Sequence, residues 1–124
     1  MTTFLVPDYD EGIAFFRDAL GFTLLEDSDL GAGKRWVVVA GASGGRLLLA
    51  RATDERQRAA MGNQAGGRVG WFLSSDDFVA DHARIAACGV QFSDGPREEA
   101  YGTVAVFTDP WGNRWDLIEH RKAA

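Results

Sequence analysis

Apolar and polar positions recur along this chain with two different periods, and each switch of period marks an element. Thr3 to Val6 is a short apolar run of strand type, ended by Pro7. From there Ile13, Phe16 and Leu20 recur at helical spacing. Asp8 can accept from the free N–H groups of the first turn, with Glu11 three residues on as in a capping box, and Gly21 supplies the stop. Phe22 to Leu25, Trp36 to Ala40 and Arg46 to Arg51 then read as strands. The last two are joined by Gly41-Ala42-Ser43-Gly44-Gly45.

The same order returns further on. Val69 to Ser74 predicts a strand, and Asp76 or Asp77 caps a helix reaching about Cys88, ended by Gly89. Val90 to Phe92, Gly102 to Phe107 and Arg114 to His120 are strands, the last two joined by Asp109-Pro110-Trp111-Gly112-Asn113. A shift of 68 positions lays one half on the other without a gap: Ala19-x-Gly21 falls on Ala87-x-Gly89, and Gly44-x-Arg46 on Gly112-x-Arg114. The expected fold is α+β: two βαβββ repeats forming a curved, half-open mixed sheet barrel with helices outside. One domain spans 1–124, with repeat 1 at 1–51, a linker at 52–68 and repeat 2 at 69–124. A ferredoxin-like sandwich has too few strands after each helix.

Composition narrows the partners. The 124 residues are 46% apolar, enough for one real core. A net charge of -5 argues against nucleic acid, fits solubility, and mildly favours a neutral or cationic ligand. The single cysteine, Cys88, allows no internal disulfide and fits a cytoplasmic setting, and it reads as a small core residue. No apolar run reaches ~18 residues and the start lacks a signal-peptide pattern, so no membrane association is expected.

Two stretches carry a resemblance. Val6-Pro7-Asp8-Tyr9-Asp10-Glu11-Gly12-Ile13-Ala14-Phe15-Phe16 and Asp109-Pro110-Trp111-Gly112-Asn113-Arg114-Trp115-Asp116-Leu117-Ile118-Glu119 resemble the opening and closing segments of the vicinal oxygen chelate superfamily. That superfamily comprises glyoxalase I, bleomycin-resistance proteins and extradiol dioxygenases. The resemblance implies a divalent metal on four strand positions, homodimers, and lyase, isomerase or dioxygenase chemistry in some members. Carried over, the four positions fall at Met1 or Thr2, Leu48, Gly70 and Asp116. One carboxylate against the usual three or so protein ligands predicts no family-type metal, and no cofactor is expected. Asp116 and His120 cannot share an ion, because four strand residues span about 13 Å at roughly 3.3 Å each. His82 and His120 read as surface residues.

Strand alternation gathers Thr2, Phe4, Leu48, Ala50, Gly70, Phe72, Ser74, Asp116 and Ile118 on the inner face, with Leu47, Leu49, Trp71, Leu73, Trp115 and Leu117 toward the helices. Trp36 joins the wall, and Asn63, Gln64, Arg68 and Tyr101 can reach the mouth. Asp116 is either a ligand anchor or general base, or an ordinary partner of Arg114, Arg35 or Arg46. Trp111, at a turn tip, reads as an exposed contact residue. The expected function is a metal-independent small-molecule-binding protein of the glyoxalase/bleomycin-resistance type, a homodimer with an apolar or cationic ligand. The alternative is a metal-dependent or cofactor-free lyase, isomerase or dioxygenase.

Overall fold

The computed structural model describes residues 1–122. They form two compact units, Met1–Gly62 and a second from Asn63 onward. The first holds β1 (Thr2–Val6), α1 (Tyr9–Ala14), a π-helical turn (Phe15–Ala19), β2 (Thr23–Gly31), β3 (Lys34–Ala40), β4 (Arg46–Arg51) and α2 (Glu55–Ala60). The second holds β5 (Val69–Ser74), α3 (Phe78–Ala87), β6 (Phe92–Glu99), β7 (Gly102–Thr108) and β8 (Arg114–His120). Strand orders are β1-β4-β3-β2 and β5-β8-β7-β6, so each unit is βαβββ and neither sheet closes on itself. The first strand pairs parallel with the last, and the other pairings are antiparallel. The α+β class and the duplicated module are as expected. The final two residues of the expected second repeat lie outside the described residues.

Local chemistry starts each helix. The Asp8 carboxylate accepts from the Glu11 N–H at 3.0 Å, and Asp77 rather than Asp76 accepts from the Ala80 N–H at 3.1 Å. The Glu119 carboxylate reaches the same end of α3 and accepts from the Phe78 N–H at 2.8 Å. Gly21 and Gly89 end their helices at φ of 71° and 85°. In the first unit Phe4 meets the Phe16 ring edge-on at 5.0 Å, over buried Val37, Val39 and Leu49. In the second, Leu73, Phe78, Ile85, Phe107, Trp115 and Leu117 are buried. Trp71 stacks on Trp115 and Trp115 on Phe107, both at 5.8 Å. Among the described residues no helix is long and apolar enough to cross a membrane.

The gap-free repeat needs one correction. Leu5 pairs with Ala50, and Ser74 with Ile118. The closing strands are therefore 68 positions apart and the opening strands 69. The caps Asp8 and Asp77 share the offset of 69. The first helix absorbs its extra residue as the π-helical turn, in which the Leu20 N–H donates to the Phe15 carbonyl at 3.3 Å. Phe4 and Thr2 consequently lie opposite Leu49 and Leu47, on the helix side of the sheet and not on the inner face. Three smaller expectations also change. Cys88 is exposed at the helix end. His82 is half-buried, stacked on Phe92 at 3.8 Å. Trp111 is half-buried rather than projecting.

Candidate ligand-binding site

Asp116 sits in the middle of β8, opposite Phe72 of β5 and Val106 of β7. Alternation sends its neighbours Trp115 and Leu117 into the core, so its own side chain takes the other face. Phe72 is 64% exposed there, an unusual position for a large ring. Asp116 is half-buried and, among the described residues, makes no hydrogen bond or ion pair. Desolvation pushes its carboxyl above the ordinary carboxylate range; Arg97 and Arg114 oppose that rise and Asp94 adds to it. Gly67, Arg68, Val69, Phe72, Arg114 and Asp116 line a cleft of about 440 Å³.

This raised affinity for a proton has a direct consequence. The native state holds the Asp116 proton more tightly than the unfolded chain. The group therefore favours folding in acid, and that contribution is lost as pH rises through its folded-state range, leaving a cost near neutrality. Asp116→Asn is expected to raise stability modestly near neutral pH, and to leave it unchanged in acid. Urea unfolding of both proteins at the two pH values checks this.

Of the residues expected at a site, the second unit brings Arg68, Phe72 and Asp116 into one cleft. Ser74 and Ile118 face each other one step further along the same strand pair. Ser74 is exposed, whereas Ile118 is covered. Tyr101 is half-exposed at the β6–β7 turn, where its carbonyl accepts from the Arg121 N–H at 2.7 Å, and it does not line the cleft. Asn63 and Gln64 are exposed in the segment before β5. Trp36 and Leu48 belong to the first unit. Trp36 donates through Nε1 to Glu26 at 2.7 Å, and Leu48 lies opposite Thr3 and Val38. Within the first unit Arg35 is committed to Asp27 and Asp10, and its bond holds the Asp27 carboxyl below its ordinary range.

Two charged neighbours of Asp116 were not foreseen, Arg97 and Asp94. They lie on β6, which runs to Glu99 and carries register shifts at Phe92/Asp94 and Asp94/Arg97. Those bulges erase the alternation by which a strand is recognised. Arg97 is paired with Asp94 and with Glu99, the latter at 2.9 Å. The only sequence signal was its charge among the acidic residues of that stretch.

The side chains at the positions that the resemblance assigns to metal are poor ion ligands taken one by one. Leu48 offers no donor. At Gly70 even a Cβ would lie 2.9 Å from the Ala65 Cβ, so the space of a ligating side chain is already taken. Asp116 remains as one carboxylate, and among the described residues no group of three or more His, Cys, Asp or Glu side chains converges.

Comparison with known proteins identifies the family. Residues 1–117 match the family described as Glyoxalase/Bleomycin resistance protein/Dioxygenase superfamily. An uncharacterized protein of Shewanella frigidimarina (strain NCIMB 400) is 50% identical over 118 residues, which is 93% of this chain and 87% of that protein. The crystal structure of UcmS2 is 27% identical with a TM-score of 0.76, covering 94% of this chain and 93% of its own. That of TnmS3, an antibiotic binding protein from Streptomyces sp. CB03234, is 32% identical with a TM-score of 0.69, covering 96% and 93%.

Proposed function

Because this chain belongs to the Glyoxalase/Bleomycin resistance protein/Dioxygenase superfamily, we propose that it is a small-molecule-binding protein that works without a family-type metal and holds its ligand on the exposed face of β5 and β8. One observation carries this reading. A half-buried carboxylate with no hydrogen bond or ion pair among the described residues lies opposite an exposed aromatic ring across a strand pair, inside a cleft. Both groups are costly to leave so in a free surface, and a ligand satisfies both. The likeness to an antibiotic binding protein supports the same reading. So does the chemistry of the four metal positions, which supply one carboxylate.

A thermal-shift screen of antibiotics and aromatic metabolites, followed by isothermal titration of the hits, tests it. Phe72→Ala is expected to weaken a hit about tenfold, the loss of one ring contact, with stability unchanged because the ring is exposed. Hits that bind Phe72→Ala equally well would place the site elsewhere. Stoichiometric Zn, Ni, Fe or Mn in protein purified without chelator would return the metal-dependent lyase or dioxygenase reading to first place. The raised carboxyl of Asp116 favours a second reading, a cofactor-free enzyme with Asp116 as general base. In that case Asp116→Asn abolishes turnover and keeps ligand binding.

The assembly we propose is a homodimer. Leu24, Leu25 and Leu30 are exposed along β2, an edge strand with one free side. Sedimentation velocity showing only monomer at micromolar protein would remove this part. The lone thiol of Cys88 suits a reducing cytoplasm.

A further inference from the structure

We infer that the ligand of this cleft is a planar ring carrying an acidic group, because two guanidinium groups with no ion pair among the described residues, those of Arg68 and Arg114, stand at one end of the cleft and the exposed Phe72 ring at the other. This rests on the reading of that cleft as the binding site. Val69 is the register partner of Arg114, so Arg68, one residue before it, enters the cleft at the same end of the same strand pair. Phe72 and Asp116 are partners two positions further along β8. Two strand residues span about 7 Å, the length of one substituted aromatic ring.

The three arginines around Asp116 are not equivalent. Arg97 is occupied by Asp94 and Glu99. Arg114 makes one long contact, donating to the Gly67 carbonyl at 3.4 Å. Arg68 makes no ion pair among the described residues. The cleft therefore presents two available guanidiniums against the single carboxylate of Asp116, an excess of one positive charge in a protein whose net charge is -5. A ligand selected by the whole-protein field would be cationic. One selected by the nearest groups is anionic, and at contact distance the nearest groups win because longer-range fields are screened within about 8 Å at physiological salt. Guanidinium groups also match a carboxylate or phenolate bidentately. The acidic group sits at Arg68 and Arg114, the ring lies on Phe72, and a hydroxyl on the far edge reaches Asp116.

Equilibrium dialysis of three probes of one shape decides the matter: 2-naphthoate, 2-naphthylmethanol and 2-naphthylmethylammonium. The naphthoate is expected to bind at least tenfold more tightly than the ammonium, with the alcohol between them. Arg114→Gln and Arg68→Gln, both exposed positions, should each erase most of the difference between the naphthoate and the ammonium. Raising the salt should narrow the gap between the charged probes. Equal affinities, or a preference for the ammonium, would overturn the acidic-ligand inference while leaving the binding site standing. Failure of all three to bind at millimolar concentration would overturn both.

Discussion

Asp109→Ala is expected to lower stability by on the order of 4 kcal/mol, measured by urea unfolding, and to broaden or abolish the cooperative transition. Asp109 is 4% exposed. One oxygen accepts from the Trp111, Gly112 and Asn113 N–H groups at 3.0, 3.0 and 2.9 Å. The other accepts from Asn113 Nδ2 at 2.8 Å and Trp115 Nε1 at 3.1 Å. Truncation removes the side-chain acceptor of five donors; the Gly112 N–H keeps the Asp109 backbone carbonyl at 3.2 Å, but Asn113 is buried, and an unmade hydrogen bond to a buried group costs more than a made one contributes. Asp109→Asn keeps one accepting oxygen and should recover part of the loss. The first unit shows what the carboxylate adds. Gly41 holds the equivalent place and closes the same backbone turn, donating to Gly45 O and accepting from Gly44 N, both at 2.9 Å. The backbone alone can make the turn; the side chain ties the turn to Trp115, and through it to the strand that carries Asp116. A full-stability Asp109→Ala protein would show that this tie is dispensable.

Gly102→Ala should be at least as damaging, with little soluble protein recovered. Gly102 opens β7 and is paired on both sides, with Glu99 and with His120. Its φ is 153°, a conformation that side chains rarely adopt, and an added Cβ would stand 2.1 Å from the Glu119 carbonyl oxygen. The obstacle is backbone held by two ladders, so it cannot swing aside as a side chain could. Gly45→Ala is the control: it lacks a positive φ, and nothing lies within 4 Å of the added carbon. It should unfold at the same urea concentration as the parent. If the two substitutions behave alike, steric closeness at Gly102 is not what limits it.

Much of the architecture could be read directly because its signals are local. Asp8, Gly21, Gly89 and the Asp109-to-Asn113 turn each act within four residues, and each does what its chemistry dictates. What escaped depended on register. A strand has period two, so one unnoticed residue reverses which side chains face the helix. The π-helical turn at Phe15–Ala19 is such a residue, and apolar spacing does not reveal it, because Ile13, Phe16 and Leu20 fit an ordinary helix as well. Phe4 was therefore assigned to the wrong side, whereas Phe72, on the other copy, was assigned correctly from Asp116 across the sheet. At the site, the exposed ring and the carboxylate were legible from alternation. Arg97 was not, because the bulges of β6 conceal a strand there. That Asp116 makes no ion pair among the described residues while Arg97 is engaged twice is a fact of side-chain competition in space.

The stacked rings behind the cleft give the protein an optical property. Trp71 and Trp115 flank Phe72 and Asp116 in sequence and continue through Phe107 and Phe92 to His82. Trp115 is buried and Trp71 half-buried on the face of the strand pair opposite Phe72 and Asp116. A chromophore held on that outer face would lie one backbone layer from both indoles, and its binding would then be read in the intrinsic emission without a label.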